Sequence, residues 1–288
     1  MNAKIRSLIE DVLVVAILGG LLIVATKFDF RVSDTLYLNN NWINYFVAVI
    51  AKMPTYFCGL YSCACLFILA MQKENKVNKY IMMCIYVLGG LVCGALMLED
   101  FVETIVKNDI IKYLIAGIVG LIIFFVLAYF LNKGDKEVIT SNKKAYIAIL
   151  IVLVIVVIIS FLLKKVIDRT RFEDLLVKHG SFTNWYEKGV GGDSMPSGHV
   201  ASALALIVCY PLFSKIKLFE NRKWLFDTIV FVFTICVMLS RISMGKHFLS
   251  DVVIGALISY ITSKVVLYVL FGFNNNKEIN KGSFLEKL

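Results

Sequence analysis

This chain is short of charge: Asp, Glu, Lys and Arg make up 18% of its 288 residues, against 59% hydrophobic. With a mean hydropathy of +0.79, that excludes a water-soluble globular domain of this length. Loop cysteines are missing too. All seven, Cys58, Cys63, Cys65, Cys84, Cys93, Cys209 and Cys236, fall inside apolar runs, away from aqueous loops where disulfides or zinc sites form. They read as small packing residues, and Cys63 and Cys65, two apart, point to different faces of a helix. The redox compartment is not legible from them. Internal repeats, low-complexity linkers and a soluble second domain are absent as well.

What is present is a series of apolar runs, each long enough to cross about 30 Å of hydrocarbon at roughly 20 residues per span. Eight are expected: Leu8 to Thr26, Pro54 to Met71, Tyr80 to Leu98, Tyr113 to Leu131, Ala145 to Leu163, Pro196 to Phe213, Trp224 to Ser243, and Val252 to Phe271. The fold class is therefore all-α, a polytopic membrane helical bundle. Glu10 and Asp11 shorten the first run toward the length of a signal peptide. It reads as an uncleaved helix, because no small-x-small site follows and Lys27 and Phe28 come directly after it.

The net charge of +9 could suggest an acidic partner such as nucleic acid, but its distribution is topological and no nucleic acid is expected. Short cytoplasmic loops collect Lys and Arg. Lys73, Lys76 and Lys79 follow the second run; Lys133, Lys136, Lys143 and Lys144 the fourth; Lys215, Lys217, Arg222 and Lys223 the sixth. Lys4 and Arg6 at the start and Lys277, Lys281 and Lys287 at the end fall on the same side, so both termini are expected in the cytoplasm. Between the third and fourth runs, Glu99, Asp100, Glu103 and Asp109 outweigh Lys107 and Lys112, which marks the outer side. Trp42, Ile43, Phe46, Val49 and Ile50 recur at helical spacing, which fits an amphipathic segment in the outer interface or an ordinary packed loop.

Three polar clusters share that outer face. The 32-residue stretch from Lys164 to Met195 is too long for a turn, and it opens with Lys164, Lys165, Asp168, Arg169 and Arg171. Basic residues on the outer side run against the positive-inside tendency, which weakens their reading as a simple flank. The stretch leads into Pro196, Ser197, Gly198 and His199, which reads as a helix start with Pro at its first position. Free amides and the helix dipole there favour an anion, and Gly198 lets the backbone approach it. The third cluster is Ser240, Arg241, Gly245, Lys246, His247 and Asp251. His247 and Asp251 are four apart, so the carboxylate can bond one imidazole nitrogen and raise the basicity of the other, making a nucleophile or base with its orienter. Arg241 can converge on the same anion if the chain turns at Gly245. Of three histidines, His179 reads as a loop residue and the other two lie in these clusters. Carboxylates are not grouped as magnesium or manganese requires, and with this much positive charge no metal or other cofactor is expected.

These residues resemble the signature of the type-2 phosphatidic acid phosphatase superfamily: KxxxxxxRP, PSGH and SRxxxxxHxxxD. PSGH is complete at 196–199, and the third part is complete as Ser240, Arg241, His247 and Asp251. The first matches as Lys164 and Arg171, with Phe172 where the family usually has proline. The resemblance implies that His247 attacks to give a phosphohistidine, Asp251 supports it and His199 protonates the departing lipid oxygen. It implies that Lys164, Arg171, Ser197, Gly198 and Arg241 bind phosphate oxygens without metal. It also implies a six-helix phosphatase core, here 73–273, preceded by two additional helices in 1–72 and followed by a cytoplasmic tail at 274–288.

The function expected is hydrolysis of a lipid phosphate monoester or pyrophosphate, such as phosphatidic acid, phosphatidylglycerol phosphate or undecaprenyl pyrophosphate, at the extracytoplasmic face of a bacterial plasma membrane. The partners expected are that lipid and the bilayer. A lipid phosphotransferase would use the same phosphohistidine. A transporter or scramblase would need its polar groups near the midplane, whereas these sit at helix ends on one face. A non-catalytic relative is disfavoured because nucleophile, orienter and acid are all present. Soluble haloperoxidases share the signature but not this hydrophobicity.

Overall fold

The structure, a computed structural model, describes residues 3–38, 41–178 and 181–272. The tail at 274–288, with Lys277, Lys281 and Lys287, and the loop position His179 lie outside the described residues. Among the described residues there are only helices and connections. They are α1 (Ala3–Leu36), α2 (Trp42–Ile50), α3 (Met53–Met71), α4 (Lys76–Glu103), α5 (Asp109–Lys133), α6 (Lys136–Ser141), α7 (Lys143–Ile167), α8 (Phe172–Lys178), α9 (Gly198–Ala205), α10 (Tyr210–Phe213), α11 (Lys223–Ser243) and α12 (Leu249–Phe271).

Local chemistry sets several of these boundaries. Asn41, Asn75, Asn108 and Asp135 each accept a backbone N–H of the following turn, which starts α2, α4, α5 and α6. Seven helices are long and apolar enough to cross a membrane, so the chain is an all-α, multi-pass membrane bundle. The sixth of the eight expected spans is the exception, being a shorter apolar helix, Gly198–Phe213. It tightens into a 3-10 turn at Leu206–Cys209, just before Pro211. Proline has no N–H for the carbonyl four residues back, and its ring crowds that carbonyl, so the regular ladder cannot continue through it.

Close helix packing rests on small residues, as expected where lipid removes the usual hydrophobic drive between helices. A Cβ on Gly94 of α4 would stand 2.5 Å from Gly120 Cα of α5, so the two backbones touch. α3 packs against α4, α5, α7 and α9, and α12 packs against α1, α7 and α9. α1 continues well past the first apolar run, and the charge that interrupts that run is used. Asp11 accepts from the Tyr260 hydroxyl at 2.8 Å and pairs with Lys264 at 2.8 Å, both on α12. A charge at membrane depth is tolerated when it is paired in this way.

The order of the helices brings the C-terminal ends of α1, α4, α7 and α11 to one end of the bundle, with α2 and the N-terminal ends of α5, α9 and α12. The lysine-rich connections lie at the other end. All three polar clusters therefore meet at a single bundle end, as their alternation along the chain implies.

Candidate active site

A cavity of about 890 Å³ opens at that end, with His199, Arg171 and Arg241 in its wall beside Lys52, Asp100 and Lys246. Its remaining wall includes Trp42, Tyr45 and Val49 of α2. The spacing of the aromatic and aliphatic residues there does form a helix. It is tied to the end of α11, since Asn44 Nδ2 donates to Ser243 Oγ at 2.8 Å and Ser240 Oγ donates to the Asn44 carbonyl at 2.6 Å.

His247 sits in the turn between α11 and α12, only 2% exposed. That turn needs Gly245, whose φ is +69° and whose Cβ would meet Tyr37 at 2.9 Å. The His247 Nδ1 faces the Ser194 carbonyl at 2.5 Å. A carbonyl only accepts, so Nδ1 carries the proton and Nε2 keeps its lone pair. Burial, and then the positive charges of Arg241, Lys164 and Arg171, hold the His247 pKa well below the usual imidazole range.

The expected bond between Asp251 and the His247 ring is not the arrangement found. Asp251 lies in the first turn of α12, where its carboxylate accepts from the Phe248 N–H at 2.8 Å and so caps the helix. It also accepts from Ser194 Oγ at 2.6 Å and from Arg169 Nη1 at 2.8 Å. The support therefore runs through Ser194: Asp251 holds the hydroxyl, and the carbonyl of the same residue holds the imidazole. Capping outcompetes the i to i+4 contact because His247 precedes the helix and is not on its surface.

α9 begins at Gly198 with Ser197 as its N-cap, so Pro196 stands two residues ahead of the helix and not at its first position. Ser197 N donates to the Asp251 carbonyl at 3.0 Å, which locks the start of α9 onto α12. Gly255 makes that approach possible, since a Cβ there would lie 2.6 Å from the Ser197 carbonyl oxygen. Gly255→Val should separate the two helices and destabilise the protein by about 1–3 kcal/mol, with phosphate turnover falling in step. An unchanged thermal midpoint in detergent would refute that packing argument. By contrast, a Cβ on Gly198 would point into open space.

His199 Nε2 faces Asp100 Oδ1 of α4 at 3.1 Å, and Lys52 bridges Asp100 at 2.9 Å and Glu99 at 2.6 Å. Lys164 donates to the Asp193 carbonyl, while Arg171 pairs with the Asp193 carboxylate at 2.9 Å. The long connection that carries them is folded closely on itself. Asp168, in the left-handed region at φ 54°, accepts from the N–H groups of Gly191 and Gly192 at 3.1 Å each. Buried Ser197 Oγ and Arg241 Nε have no hydrogen-bond partner. Buried polar groups are normally paired, so the orphan Arg241 Nε in the cavity wall leaves a donor free for a polar ligand.

Phe172, the departure from the expected proline, is fully buried and starts α8. Its ring packs on Phe248 at 6.0 Å, Tyr37 at 5.6 Å and Phe30 at 5.5 Å, so aromatic contacts seat the segment next to His247.

His199, Arg171 and Arg241 line one cavity, and His247 lies close enough to feel the charges of Arg241, Lys164 and Arg171. The family model described as PAP2 superfamily matches residues 145–275, which run from α7 through α12. Those residues are similar to the PAP2 superfamily, and the match supports the resemblance read from the motifs. No curated protein and no solved structure matches. The match implies phosphatase or phosphoesterase chemistry on a phosphate substrate.

The PAP2 match contains every site residue expected from the sequence, but not all of their partners. Asp100 and Lys52 lie outside it, and in the sequence Asp100 marks only the polarity of its loop. Arg169 and Ser194 lie inside it, in the polar clusters of the long connection, but the sequence assigns them no role, since nothing local separates Arg169 from its basic neighbours.

Proposed function

We propose that this protein is an integral membrane lipid phosphatase that works through a phosphohistidine on His247. The observation that carries the reading is the unpartnered Arg241 Nε at a cavity walled by His199, Arg171 and Arg241, with a second unpartnered atom, Ser197 Oγ, two residues before His199. A phosphate group would satisfy both. Lys164, Arg171 and Arg241 supply its counter-charge, and Ser197 with the first amides of α9 at Gly198 supplies neutral donors. Asp193 occupies Lys164 and Arg171 in the free protein, so phosphate would replace one carboxylate.

In the first step His247 Nε2 attacks phosphorus, the P–O bond to the lipid breaks, and His199 gives its proton to the departing oxygen. Phosphate arriving in the cavity adds negative charge beside His199, as Asp100 already does, and so favours the imidazolium that the step needs. In the second step His199 takes a proton from water as its oxygen attacks phosphorus. The P–N bond breaks, and inorganic phosphate leaves. The Ser194 carbonyl holds the Nδ1 proton of His247 throughout, and Asp251 holds Ser194.

The reading places the phosphatase core at 73–273 behind two added spanning helices. It places the cavity at the extracytoplasmic face of a plasma membrane, because the lysine-rich connections lie at the opposite bundle end. The lipid class rests on hydropathy and on a cavity bordered by Trp42, Tyr45 and Val49, where a membrane-held tail can reach. The test is phosphate release by the purified protein from phosphatidic acid, phosphatidylglycerol phosphate and undecaprenyl pyrophosphate, with EDTA present. Release from one of them supports the reading, and silence across the panel overturns it. Loss of activity with EDTA would overturn the metal-free mechanism. A phosphoenzyme that discharges only to an added lipid alcohol would make the protein a phosphotransferase.

A further inference from the structure

α1 lies entirely outside the residues matched to the PAP2 superfamily, yet it ends against the site. Asp29 of α1 is 3% exposed, and Arg169, Ser250 and Asp251 are fully buried around it. One Asp29 oxygen accepts from the Ser250 N–H at 2.8 Å. The other accepts from Ser250 Oγ at 2.5 Å and from Arg169 Nη2 at 2.8 Å. Arg169 spends its other guanidinium arm on Asp251 and Ser250 at 2.8 and 2.7 Å, and its Nε on the Thr183 carbonyl at 3.0 Å. The guanidinium lies over the Phe248 ring, with its carbon 4.1 Å from the centroid. Phe30 of α1 and Tyr37 just beyond its end complete the aromatic wall behind Phe172.

We propose that Asp29 is a positioning residue for His247, acting through Arg169, Asp251 and Ser194. The connection is continuous: Asp29 to Arg169, Arg169 to Asp251, Asp251 to the Ser194 hydroxyl, and the Ser194 carbonyl to His247 Nδ1. Asp29 also fixes Ser250, three residues beyond the imidazole. An Arg169 facing only Asp251 could follow that carboxylate; facing two, it is held between them, and Asp251 with it. α1 is thus a structural part of the catalytic end and not merely an added membrane anchor. This inference rests on the phosphohistidine reading for its kinetic consequence but not for its structural one.

The test uses Asp29→Asn, which keeps the size and the acceptor for Ser250 but loses the charge toward Arg169. Asp29→Glu restores the charge. Asp11→Asn serves as control, because it removes the other buried carboxylate that clamps α1 to α12, far from His247. The chain has three histidines, so selective ¹⁵N labelling of imidazoles gives three pairs of ring-nitrogen signals, assigned by replacing each histidine in turn. We expect Asp29→Asn to shift His247 from the Nδ1–H tautomer toward a mixture. With the most active lipid phosphate, kcat should fall by about 10- to 100-fold at a nearly constant KM, the size expected for a misplaced reacting group. Asp29→Glu should recover part of both, and Asp11→Asn should move neither. A wild-type tautomer in Asp29→Asn, or equal shifts in Asp29→Asn and Asp11→Asn, would reduce Asp29 to a helix clamp. A wild-type protein that hydrolyses nothing would instead fail the lipid phosphatase reading, and the imidazole signals would still decide the role of Asp29.

Discussion

His247→Ala should abolish phosphate release, with kcat falling by about 10⁴-fold or more and no phosphoenzyme trapped, since the attacking nitrogen is gone. His199→Asn should behave differently. Loss of a general acid costs about 10²- to 10⁴-fold for a lipid alkoxide, which cannot leave without a proton. It should cost much less for p-nitrophenyl phosphate, whose leaving group departs as an anion. That contrast separates the two histidines by role, and equal losses on both substrates would refute the assignment of His199 as acid. Protonation should not disable the nucleophile near neutrality. The pKa of His247 is held below its usual range by burial and by Arg241, Lys164 and Arg171, so the imidazole stays neutral as pH falls through about 6.5, the ordinary histidine value. The acid limb of kcat/KM belonging to His247 should therefore lie below that pH, once the substrate's own ionisation is allowed for. A limb centred at 6.5 or above would contradict this.

Arg169→Leu carries the largest expected effect on stability. The guanidinium is fully buried and pairs with Asp29 and Asp251, each at 2.8 Å. Without it, two buried carboxylates are left near each other with no counter-charge. Breaking a buried ion pair by removing one partner costs about 3–5 kcal/mol, and here a single change breaks two. The variant should give little folded protein in detergent, and what remains should unfold at a much lower temperature. Arg169→Lys keeps a charge but cannot reach Asp29, Asp251 and the Thr183 carbonyl from one ammonium, so it should be intermediate. An Arg169→Leu protein with a wild-type melting midpoint would mean the network is not structural.

The spans and the meeting of the clusters were legible because each rests on short-range patterns. An apolar run of about twenty residues has few alternatives to a membrane helix, and alternation of spans then decides which connections share an end. Pro211 shows the limit of that reasoning. The sixth run is apolar throughout, but a proline near its end converts one turn to 3-10 geometry and leaves a helix shorter than the other spans. Asp11 shows the reverse, since the charge that interrupts the first apolar run is matched by Lys264 and Tyr260, some 250 residues on in the chain.

By itself, then, the sequence determined the class, the number of apolar segments to within one short helix, the shared bundle end, and the residues that meet there. All of these depend on composition, on period, or on side chains fixed at set intervals along one segment. The tertiary structure alone decided who holds whom. It turned Asp251 from a partner of the His247 ring into the holder of Ser194 and Arg169, gave His199 to Asp100, and brought Asp29 under the site. Each of those contacts joins different helices, and their side chains carry no periodic mark. A carboxylate on α1 finds a guanidinium beyond α7 only because both helix ends arrive at the same buried point, where an unpaired charge would be too costly to remain.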